Sequence, residues 1–90
     1  MGFSWNEQKR LKTIADRGLD FIMVWQFFDG RPVIHQPTPR HGEDRWKSTT
    51  HFGEKFYTVV WLWVGETRHV ISMRRAHAQE IRAYRALHSD

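Results

Sequence analysis

Residues 68–85 read RHVISMRRAHAQEIRAYR, a short alternating strand that ends in a serine and an arginine pair and then becomes a helix carrying more arginine. A strand end is a rigid mount, and guanidinium groups held there grip phosphate in two-pronged fashion. Ser72, Arg74 and Arg75 therefore mark a candidate nucleic-acid site, with Arg68, His69 and Arg82 as further substrate contacts. Glu80 and Tyr84 lie one helical turn apart and project the same way. Such a pair can move protons, the Glu as base and the Tyr as orienter or acid, or it can hydrogen-bond the helix to the sheet. Ser72 is open to a similar choice between a phosphate contact and a strand-edge hydrogen bond.

A second basic face lies upstream. In RWKSTTHF, strand alternation places Arg45, Lys47, Thr49 and His51 on one side and Trp46, Ser48, Thr50 and Phe52 on the other. Arg45 and Lys47 would join the arginine corner from this neighbouring segment. The formal net charge of +4 fits that placement, because residues 1–30 hold four basic against four acidic side chains and residues 31–90 hold ten against six. Such a surface attracts polyanions, and charge alone does not choose among RNA, DNA, an acidic protein and a membrane surface. The bland alternative is solvated charge that serves solubility.

These groups need a scaffold. Phe3 to Trp5 can form a short strand; Asn6 is a helix cap; Leu11, Ile14 and Ala15 recur at helical spacing until Gly18 stops the helix. Asp20 caps a second helix, with Phe21, Val24, Trp25 and Phe28 as its buried stripe and Asp29-Gly30 and Pro32 as its end. Residues 32–35 suit a short strand, and Gln36 to Glu43 reads as a loop. Gly53-Glu54 turns into FYTVVWLWV, whose nearly unbroken apolar character suggests a central strand covered on both faces. From Thr67 to Met73 the pattern alternates, with Arg68, Val70 and Ser72 on one face and His69, Ile71 and Met73 on the other. The last helix begins near Arg75. This order predicts a single α+β domain over residues 1–90, with two N-terminal helices and a C-terminal helix packed on a mostly antiparallel sheet of about four strands.

Composition removes several function classes. Ninety residues bury about 60 to 65% of their unfolded surface, enough for one modest core. There is no apolar run of about 18 residues and no secretory pattern, so a soluble cytoplasmic protein is expected. The absence of cysteine excludes disulfide staples and Cys-based zinc sites. His35, His41, His51, His69, His77 and His88 show no ligand spacing, so no metal is expected. Without a phosphate-cradling glycine loop, a nucleophile elbow or a dinucleotide fingerprint, no cofactor is expected either. Most aromatic residues suit a core, Trp61 and Trp63 among them, leaving Trp46 and Phe27 as the ones expected to be exposed.

Three motifs, FSWNEQK near the start, GEDR in the middle and VISMRRA followed by Glu80 and Tyr84, resemble the BrnT-type toxins, a branch of the RelE-like ribonuclease toxins of bacterial type II toxin–antitoxin systems. The likeness spans nearly the whole chain. Ser72, Arg74, Arg75, Glu80 and Tyr84 match the family's final motif. Three positions depart from it: His69 where Arg is usual, Met73 where Ala is common, and ADRG at residues 15–18 where a Lys-His-Gly ending is common. The resemblance implies a compact RelE-like fold and a ribonuclease that cleaves messenger RNA, inhibiting translation. It further implies a cognate ribbon-helix-helix antitoxin, whose dimer would hold two toxins and supply the only contact with DNA.

Cutting RNA without a metal requires the neighbouring 2′-hydroxyl to attack its own phosphate. The protein must remove that proton, neutralise the phosphorane and protonate the leaving 5′-oxygen. Arg45, Arg74 and Arg75 are the candidates for neutralising charge. The rival expectations are a non-catalytic nucleic-acid-binding module, a degenerate inactive toxin, and an interaction protein whose basic face meets an acidic partner.

Overall fold

The computed structural model describes residues 2–88. Strand β1 (Gly2–Trp5) leads into helix α1 (Glu7–Arg17). The Asn6 side chain accepts from the Lys9 amide at 3.0 Å, and Gly18 stops the helix in the left-handed region at φ 69°.

Asp20 caps the next segment as expected, accepting from the Ile22 amide at 3.1 Å, but residues Phe21–Phe27 wind as a 3₁₀ helix. Three residues per turn put Phe21, Val24 and Phe27 on one side, and all three are at 0% exposure. The expected α-helical stripe was therefore wrong in phase. Phe27 is core, Phe28 is partly buried, and Trp25 is 54% exposed.

Strands β2 (Ile34–Pro37), β3 (Trp46–Phe52), β4 (Lys55–Val64) and β5 (Thr67–Arg75) precede helix α2 (Ala78–His88). The sheet has five strands in the order β1-β5-β4-β3-β2. It is mixed, since β1 runs parallel to β5 while the other neighbours are antiparallel. The α+β class and the C-terminal helix match expectation. The count of about four strands and the pair of N-terminal α-helices do not.

The two faces of β3 divide as the alternation predicted. Lys47 reaches Glu80, and His51 meets the Tyr84 ring, on the α2 side. On the other side Trp46 stacks on Trp61 at 6.3 Å and Phe52 meets Phe27 at 5.4 Å, so Trp46 belongs with the core. That second side holds Val59, Trp61, Val70 and Met73 against the 3₁₀ segment. β4 is central, as its apolar run suggested, but its far end is open, with Trp63 at 42% exposure.

β5 contains an irregularity the sequence did not announce. Val60 pairs with Ser72 and Trp61 with Val70, leaving Ile71 as an extra residue. The bulge moves Met73 onto the Val70 side, where both are buried, and separates Ser72 from Arg68. The bulky Met73 thus fills core space. No helix among the described residues is long and apolar enough to cross a membrane.

The 3₁₀ phase makes a direct prediction. Phe27→Ala should cost about 3 to 5 kcal/mol in urea unfolding, the usual loss for a buried ring, and Trp25→Ala less than half as much. Equal losses would contradict this packing.

Candidate functional site

The arginine pair at the end of β5 is split by strand alternation. Arg74, opposite Thr58, reaches the α2 side. Arg75 points to the other, its guanidinium 5.5 Å from the Tyr57 ring centre. Arg75 is exposed and makes no ion pair among the described residues.

Arg74 forms a fork on Glu80, with Nη1 donating to Oε1 at 2.8 Å and Nη2 to Oε2 at 2.9 Å. Glu80 is only 1% exposed. Its Oε1 also accepts from Thr58 Oγ1 at 3.0 Å and the His77 amide at 2.8 Å, and its Oε2 lies 3.2 Å from Lys47 Nζ. The His77 bond is half of a capping box, in which the third residue of the helix reaches back to the cap amide. Burial by itself would raise the Glu80 pKa. Arg74, the His77 amide, Lys47 and Thr58 outweigh it and hold the carboxyl well below the usual carboxylate range.

Such a carboxylate stays ionised and fully engaged, whereas a general base needs proton affinity near the working pH. Tyr84, one turn further on, is 6% exposed and packs against Phe56 at 5.3 Å and His88 at 4.8 Å. The pair therefore faces the same way, as its spacing predicted, but into packing.

Beside the fork opens a cleft of about 230 Å³, walled by Thr38, Arg40, Arg45, Ser72, Arg74 and His77 over Val60 and Ile71. A tight turn presents two of the arginines. Arg40 and Glu43 exchange both backbone hydrogen bonds, at 3.1 and 2.9 Å, around His41 (φ 54°) and Gly42 (φ 74°). Positive φ at both central residues is the geometry of a two-residue hairpin turn. Glu43 then steadies Arg45, accepting on Oε1 from its Nε at 2.8 Å and its Nη2 at 2.6 Å. Arg40 has no carboxylate partner among the described residues, its Nε resting 3.2 Å from His41 Nε2.

Of the residues singled out from sequence, Arg45, Ser72 and Arg74 line the cleft, and Lys47 and Glu80 belong to the ion cluster at its side. Arg68 lies elsewhere, in a cage of rings 4.1 Å from Phe28, 4.5 Å from Trp63, 5.2 Å from Trp61 and 5.9 Å from Phe3, where burial lowers its pKa. His69 sits near β1, its Nδ1 2.9 Å from Ser4 Oγ. Arg82 is exposed on α2. Arg17, at the helix end that departs from the family pattern, donates to the Met73 carbonyl at 2.9 Å. Sequence reasoning missed Thr38, Arg40 and His77. The first two lay in a stretch read as loop, and His77 could have been found as the cap three residues before Glu80.

A family profile described as ribonuclease toxin, BrnT, of type II toxin–antitoxin system matches residues 5–80. The chain belongs to the BrnT toxin family. The matched span contains every residue of the cleft and reaches Glu80, while Arg82 and Tyr84 lie beyond it. No curated protein matches the sequence.

The ion cluster fixes a pH dependence. Folding lowers the Glu80 pKa from an ordinary 4.5, so its stabilising contribution is complete well above pH 4.5 and is lost as pH falls from there toward the folded value. Glu80→Gln should cost about 3 kcal/mol at pH 7, as expected for breaking a buried pair. The gap to the parent should narrow by about 2 kcal/mol at pH 3. Urea unfolding at both pH values checks this, and a gap independent of pH would refute the assignment.

Proposed function

We propose that this chain is a ribonuclease toxin that cleaves messenger RNA without a metal, by 2′-hydroxyl attack in the cleft between β5, the Arg40–Glu43 turn and the start of α2. The observation that carries this reading is the convergence of three arginines, a serine and a histidine on one cleft in a BrnT-family chain. Arg40 and Arg45 grip phosphate. Arg74 has five N–H donors, and the fork on Glu80 leaves some of them for the phosphorane. Ser72 hydrogen-bonds a phosphate oxygen, solvent water takes the 2′-hydroxyl proton, and His77 protonates the leaving 5′-oxygen.

Glu80 acts through Arg74 as its positioning residue, and Lys47 supports Glu80. Tyr84 packs the helix. Arg75 and Arg82 meet RNA backbone outside the cleft. The family description supplies an antitoxin as partner; a ribbon-helix-helix dimer that holds two toxins and alone contacts DNA is the assembly we propose, in the cytoplasm.

A second reading is favoured by one observation: Glu80 and Tyr84, the expected proton-transfer pair, are both engaged in packing. It makes the chain an inactive module that keeps the phosphate site.

Labelled messenger RNA, with EDTA present and with or without ribosomes, separates the two. The parent should cleave, and Arg74→Ala should lower kcat about 100- to 1000-fold, the usual loss of an oxyanion donor. Arg45→Ala should act mainly on KM. RNA binding with no cleavage under any condition would establish the inactive module.

The role of His77 has its own test. His77→Ala should slow cleavage of ordinary RNA, and a substrate with a 5′-thio leaving group, which leaves without a proton, should restore the rate. Equal defects on both substrates would remove His77 from that step.

A further inference from the structure

Arg45 is a wall shared by two hollows. Besides the phosphate cleft it borders one of about 550 Å³, whose other walls include Pro37, Pro39, Asp44, Trp46, Leu62 and Trp63. We propose that this second hollow is a nucleobase subsite, which stacks a base next to the phosphate in the cleft and prefers guanine. The proposal rests on the reading that the cleft holds RNA phosphate.

The walls have the chemistry of a base site. Aromatic rings take any base by its π-face, and proline rings offer flat apolar contact. Trp63 is 42% exposed, yet its ring is held in place, with Arg68 4.5 Å from its centre and Trp61 edge-on at 5.2 Å. A fixed and open indole is a ready stacking platform. Arg68, expected from sequence to touch the substrate, would instead act by holding that platform.

Asp44 supplies the discrimination. Its neighbour Glu43 is committed to Arg45, but Asp44 makes no hydrogen bond or ion pair among the described residues. An ionised carboxylate only accepts hydrogen bonds, so it repels phosphate and suits a base edge that carries N–H donors. Guanine presents N1–H and N2–H₂ side by side, matching both oxygens of one carboxylate. Adenine, cytosine and uracil offer no such adjacent pair. The single guanidinium between the hollows can hold the phosphate that links a stacked nucleotide to the next one.

Two measurements test the subsite, the first of them independent of cleavage. Calorimetric titration with GMP, AMP, CMP, UMP and inorganic phosphate should rank GMP tightest. Trp63→Ala should weaken all four nucleotides about 5- to 100-fold, the usual worth of one stacked base, and leave inorganic phosphate unchanged. Asp44→Asn, a change at an exposed position, should abolish the preference for GMP. On messenger RNA, cut sites mapped by sequencing should fall beside guanine in the parent and scatter in Asp44→Asn. Equal affinity for all four nucleotides, a GMP preference untouched by Asp44→Asn, or nucleotide affinities untouched by Trp63→Ala would overturn the subsite and leave the nuclease reading standing. Nucleotide binding that weakens in Trp63→Ala and loses its GMP preference in Asp44→Asn, in a protein that cuts no RNA, would overturn the nuclease reading and leave the subsite.

Discussion

The buried carboxylate of Glu80 is the constraint on which the α2 side of the molecule depends. It ties three elements with one group: Arg74 from β5, Lys47 from β3 and the first turn of α2 through the His77 amide. Below it, the Thr49 and Thr58 hydroxyls meet at 2.8 Å, and Thr58 passes the chain of hydrogen bonds up to Glu80. A helix docked on a sheet by apolar contact alone could slide. One docked by a carboxylate with five donors has a single register, because any shift leaves charges buried and unpaired. That register sets Arg74 and His77 on adjoining walls of one cleft.

Much of this was legible in the sequence, and the losses have physical causes. Caps at Asn6 and Asp20, the stop at Gly18 and the two faces of β3 follow from local chemistry and were read directly. The 3₁₀ segment was not, since Phe21, Val24, Trp25, Phe27 and Phe28 satisfy a period of either 3.0 or 3.6, and only packing against the sheet selects one. The bulge at Ile71 is likewise a property of the strand pair, invisible in β5 alone. Both errors misassigned faces, which is why Phe27 and Met73 proved to be core and Trp25 open, whereas Trp63 is open because the far end of β4 is uncovered.

The site was partly legible for the same reason. Reading Arg74-Arg75 as one cluster ignored the rule that neighbours on a strand face opposite ways. Arg40 escaped notice because a turn with two positive φ residues, one of them His41, reaches the cleft from a stretch with no periodic signal. The resemblance to BrnT toxins carried the family from short motifs, and the geometry then separated the residues of those motifs in space.

The parallel pairing of β1 with β5 has a consequence in time. Residues 2–5 are made well before their partners at 67–70, so the sheet cannot close until residues 67–70 have left the ribosome. Arg74, His77 and the carboxylate that orders them emerge later still. A growing chain therefore carries no assembled cleft.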